Sequence, residues 1–126
     1  MFKGLNLKLD LLETLGEGFV VIPFGFTVNG VTDADGLKGP IASAVRSEAG
    51  EWLCTLKDNS VPTQCFYGVA AVSNTADDID MYTLVDWSTV VSAGTFVVRS
   101  MVAAVQTDPT DNLLVGGFLL GRKTDR

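Results

Sequence analysis

The chain has 126 residues and 13.4 kDa, with 9 Lys+Arg against 15 Asp+Glu, a net charge of −6 and no histidine. The missing histidine excludes Ser-His-Asp and Cys-His catalysis and any His-ligated metal. The acidic balance without a basic cluster argues against a nucleic-acid surface. Charged residues make up only 19% and mean hydropathy is +0.30, so the chain has apolar surface to bury. The length suits one domain with a core of its own.

No run reaches the ~18 to 20 uncharged apolar residues of a spanning helix. The start, Met1-Phe2-Lys3-Gly4, does not read as a secretory signal. The expectation is a protein of cytosolic origin with no membrane partner, whose apolar excess marks an oligomer or a bound surface.

In chain order, residues 1–18 form an arm or first strand and residues 19–126 a single β domain. Leu5, Leu7, Leu9 and Leu11 alternate with Asn6, Lys8 and Asp10, the period of an extended segment with one apolar face. A helical stripe through Leu5, Leu9 and Leu12 competes with it. With Phe2, the four alternating leucines are the candidate contact to another subunit or a larger assembly.

Residues 19–28 read as a strand that Pro23 confines to an edge or a bulge. The stretch 29–36 reads as a loop. Strands are expected at 41–46, 52–57, 64–72, 81–87, 95–105 and 113–120. Turns fall at 48–51, 58–60 and 108–112, the last, Asp-Pro-Thr-Asp-Asn, being the strongest turn signal. The connection 88–94 has room for one helical turn. These elements predict an all-β fold, a single compact antiparallel sandwich or barrel of about seven or eight strands with an extended N-terminal segment.

Candidate chemistry is sparse. Asp33-Ala34-Asp35-Gly36 opens like a calcium loop, but the position that needs a bidentate Glu is Ala44. Asp77, Asp78 and Asp80 lie within four residues and read as an exposed acidic loop. An enzyme built on these or on Asp86 is the remote alternative. Cys54 and Cys65 would face each other if Asn59-Ser60 closed a two-residue hairpin, which makes a cross-strand pair conceivable; two reduced thiols are the competing expectation. Gly116-Gly117 reads as a strand bulge. No catalytic residue, metal ligand or cofactor is expected.

One stretch carries a resemblance. Val20-Val21-Ile22-Pro23-Phe24-Gly25-Phe26-Thr27-Val28-Asn29-Gly30 enters a loop. Leu37-Lys38-Gly39-Pro40-Ile41-Ala42-Ser43-Ala44-Val45-Arg46 and Ala49-Gly50-Glu51-Trp52-Leu53-Cys54-Thr55-Leu56-Lys57-Asp58 follow. This order resembles the capsid decoration (cement) proteins of tailed bacteriophages, over residues 20–58, less than half the chain. The resemblance implies a β-rich, non-enzymatic protein on the capsid exterior of the virion, made in the host cytoplasm. Its implied partners are the major capsid protein and further copies of itself, as a homotrimer. A phage tail or fibre module that binds a host receptor is the alternative.

Overall fold

The computed structural model describes residues 18–73 and 78–124. Phe2, Leu5, Leu7, Leu9 and Leu11 therefore lie outside the described residues. Nine strands are described: β1 Phe19–Val28, β2 Asp35–Lys38, β3 Ile41–Glu48, β4 Glu51–Leu56, β5 Gln64–Val72, β6 Tyr82–Asp86, β7 Thr95–Val102, β8 Val105–Gln106 and β9 Leu113–Arg122. One helical turn, α1 Val90–Ala93, falls within the 88–94 connection. The strands form two antiparallel sheets, as an all-β sandwich requires. The first runs β2-β1-β9-β5 and the second β3-β4-β7-β6, with β8 beside β7.

Period-two alternation sends one side of each strand inward. From β1 the buried side chains are Ile22, Phe24, Phe26 and Val28, and from β9 they are Leu113, Val115 and Leu119. The second sheet answers with Trp52, Cys54 and Leu56 of β4 and with Phe96 and Val98 of β7. Phe24 and Phe96 meet across the layers with ring centroids 4.7 Å apart. No residue of β5 or β6 is fully buried. Where these two strands meet, the Thr83 hydroxyl donates to the Ala70 carbonyl at 2.5 Å in place of a ladder.

Four sequence expectations need correction. The 29–36 loop ends in a short strand, β2, whose residues are all exposed and so carry no alternation to read. Pro23 sits beyond the last β2 partner of β1, Lys38 opposite Gly25, where its missing N–H costs no ladder bond. The Gly116-Gly117 pair lies in regular register against Gly25 and Phe24. Gly117 is there because a Cβ would collide with the Val69 carbonyl and with the Phe24 ring. The expected 95–105 strand ends at Val102, where Ala103 (φ 50°) and Ala104 (φ 64°) reverse the chain into β8.

That reversal is a two-residue hairpin loop with positive φ at both positions, the geometry that Asn-Gly adopts without strain. Alanine in the left-handed region costs on the order of 1 kcal/mol per residue. The double variant Ala103→Asn, Ala104→Gly should therefore stabilise the domain by about 1 kcal/mol. Urea denaturation checks this; an unchanged or lower midpoint contradicts the strain reading.

Candidate contact surfaces

Asp33, Asp78 and Asp86, among the sequence-predicted candidates, each accept hydrogen bonds that fix nearby turns and strands. Asp33 accepts the backbone N–H of Arg46 at 2.9 Å. Asp77 lies outside the described residues. Asp78 is buried, contrary to an exposed loop, and accepts the N–H of Thr110, the N–H of Asp111 and the Thr110 hydroxyl, the closest contacts being 2.9 Å. Burial alone would raise its pKa, but these donors outweigh it and hold the carboxyl below its ordinary value. Asp86 is held low chiefly by the Ser88 hydroxyl and N–H. Among the described residues, no group of three or more His, Cys, Asp or Glu side chains is placed to hold a metal ion.

The cysteine pairing is not made. Leu56 leaves β4 by donating its N–H to Gly94, and Lys57 donates to Pro40. A 3-10 turn, Asp58–Ser60, then carries the chain across to the first sheet, where Thr63 N–H bonds Arg122. Asn59-Ser60 thus belongs to a crossover, not a hairpin. Cys54 lies opposite Ala44 and Phe96 in the second sheet, and Cys65 opposite Gly121 in the first. Both are free thiols. Burial pushes the Cys54 thiol up to about 12, which removes it from thiolate chemistry; burial also raises Cys65.

Two surfaces remain. The first is one end of the sandwich, where loops 29–34, 46–50, 78–81 and 103–112 meet. A polar network ties them together. Arg46 donates to both carboxylate oxygens of Asp108, at 3.1 and 2.7 Å. The Gly50 N–H donates to the same carboxylate at 2.8 Å. Gly50 itself must be glycine: its φ is +71° and a Cβ would press on the Thr107 backbone. The paired guanidinium is the main reason Asp108 is held low. Trp52 Nε1 donates to Thr32 at 3.3 Å, and Gln106 donates to Glu48 and Ala49. On this fixed frame Val31 is 72%, Ile79 69% and Val105 63% exposed.

The second surface is the outer face of the first sheet. Its outward positions are Val21, Pro23, Gly25 and Thr27 on β1, Leu114, Gly116, Phe118 and Leu120 on β9, and Tyr67, Val69 and Ala71 on β5. None of these carries a charge; the charges of this face stand at its margins, Lys38 and Asp35 of β2 opposite Gly25 and Thr27, and Arg122 at the end of the β9 row. Leu114 is 63% and Val21 53% exposed. Arg122, over the Phe66 ring at 5.9 Å, stands at one end. Where Gly25 and Gly116 lack side chains, a depression of about 390 Å3 opens beside Lys38 and Gly39. The second sheet's outer face differs: Arg99 there pairs with Glu51 at 2.9 Å and approaches Asp86 at 3.9 Å. Sequence alternation identifies these strands but not which of two apolar sides faces out, so this surface was not legible beforehand.

Comparison with family models, with curated proteins and with solved structures finds no match for this chain.

Asp78 and Asp108 sit below the ordinary carboxylate pKa of ~3.9 when folded. Their contribution is complete at neutral pH and is lost as pH falls through ~3.9 and below. Urea midpoints should therefore drop between about pH 5 and pH 2, and Asp78→Ala should cost about 1–3 kcal/mol at pH 7 by stranding the Thr110 and Asp111 N–H groups. A pH-independent midpoint contradicts this. A thiol reagent should leave Cys54 unmodified in native protein and label both cysteines in denaturant, with no reductant needed; a requirement for reductant would restore the pairing.

Proposed function

We propose that this chain is a non-enzymatic viral structural protein that binds the outer surface of a bacteriophage capsid and stabilises the shell. The proposed partners are the major capsid protein and further copies of the chain, and the resemblance implies three copies together. The observation that carries the reading is the outer face of the first sheet, apolar across three long strands, with its charges at the margins. Contiguous exposed apolar surface of that extent belongs to interaction sites rather than to free monomer surface. The resemblance adds to it: residues 20–58 span β1 to β4, which supply one long strand of this face and much of the core behind it.

The chemistry suits a shell. A protein that binds only the assembled lattice stabilises that lattice by mass action. Many copies on a symmetric surface act together when linked as an oligomer. The alternative, a tail or fibre module for a host receptor, would use the loop end, where Val31, Ile79 and Val105 project from a fixed frame.

Purified chain mixed with expanded capsids that lack their decoration should co-sediment with them and raise the temperature at which they release DNA. Binding to tails alone would favour the receptor reading, and binding to neither contradicts both.

A further inference from the structure

We propose that the outer face of the β2-β1-β9-β5 sheet binds a second copy of this chain, the same face on both partners. Three observations point to a second copy. The first is charge. The chain carries −6, and most surfaces of two copies would bring carboxylates together; the opposite sheet presents Glu51 and Asp86. Across the centre of the face, Val21, Pro23, Leu114, Phe118, Tyr67 and Val69, there is no charge to oppose; its charges, Lys38 and Asp35 on β2 and Arg122 at the end of β9, stand at the margins, so the centres of two copies meet without repulsion.

The second is extent. Three long strands at ~4.8 Å spacing and ~3.3 Å per residue give a face of roughly 14 by 30 Å. Side-chain relief and the flanking β2 enlarge it. Two such faces together approach the ~1,000 Å2 that a specific interface needs.

The third is rigidity. The face rests on the longest pairing in the molecule, β1 against β9, and on β9 against β5. Little ordering cost therefore attaches to its use. The gap at Gly25 and Gly116, where a Cβ on Gly116 would meet nothing within 4 Å, can receive a projecting side chain such as Leu114 of the other copy.

An isologous contact of this kind closes at two copies. It departs from the threefold arrangement that the resemblance implies, and it does not depend on capsid binding. Sedimentation of the full chain from about 1 to about 200 µM is the test. The expected result is a reversible monomer–dimer equilibrium. Leu114→Asp and Val21→Asp, both on exposed side chains, should each raise the dimer dissociation constant at least tenfold, whereas Leu84→Asp on the other sheet should leave it unchanged. Circular dichroism checks each fold, and Leu114→Ser replaces any variant that loses the native spectrum. A monomer throughout, the result expected if residues 1–17 or another protein cover the face, overturns the proposal. So does a trimer, and so does an association that Leu114→Asp and Val21→Asp do not weaken. Capsid co-sedimentation of the unaltered chain judges the decoration reading separately: dimers that do not bind capsids leave this proposal standing and contradict that reading, and monomers that bind capsids do the reverse.

Discussion

Ten residues of β1 lie opposite ten of β9, from Phe19 against Arg122 to Val28 against Leu113, and every surface of the domain takes its position from that pairing. It sets which side chains enter the core: Ile22, Phe24, Phe26 and Val28 face inward beside Leu113, Val115 and Leu119. It also sets what remains outside. Hydrophobicity does not choose between the two sides, because Val21, Leu114, Phe118 and Leu120 are apolar as well. A slip of one residue would exchange the faces. Glycine decides the register. Gly117 lies opposite Phe24, where a Cβ would collide with that ring and with the Val69 carbonyl, and Gly121 lies where a Cβ would meet the Gln64 backbone. Moved one way, Phe118 would have to occupy the space that only Gly117 fits; moved the other, Leu120 would have to occupy that of Gly121.

The same ambiguity of two apolar sides limits how far the sequence could be read. Residues 19–28 and 64–72 announce strands by composition and coincide with β1 and β5. The helical turn and the 108–112 turn were legible too, through Gly94 and through Asp108-Pro109. What alternation cannot carry is partnership. Cys54 and Cys65 flank what looks like a tight turn, yet Pro62 and the 3-10 turn before it send the chain to the other sheet. The Ala103-Ala104 reversal has no turn residue to betray it. Asp78 looked like solvated charge in an acidic stretch; its role as acceptor for the 108–112 turn depends on a contact 32 residues away. β2 was invisible because all four of its residues are exposed.

The loop end and the sheet face divide the surface by physical type. The loop end is polar beneath and apolar at its tips, with Arg46, Asp108 and Gly50 fixing a frame from which Val31 and Val105 project. Such a surface suits small, shaped contacts. The sheet face is broad and apolar at its centre, with Lys38, Asp35 and Arg122 at its margins, and suits association of large areas. The low charge that first marked the sequence is thus not spread evenly: the outward rows of β1, β9 and β5 hold only Arg122, at one end.

The central claim is that the outer face of the first sheet is a contact surface. A cryo-electron microscopy map of the particle or assembly that contains this chain tests it most directly. The account predicts protein density packed against Val21, Leu114 and Phe118, leaving little of that face in contact with solvent. A map in which this face looks out into bulk water while the chain is held by other surfaces would contradict it.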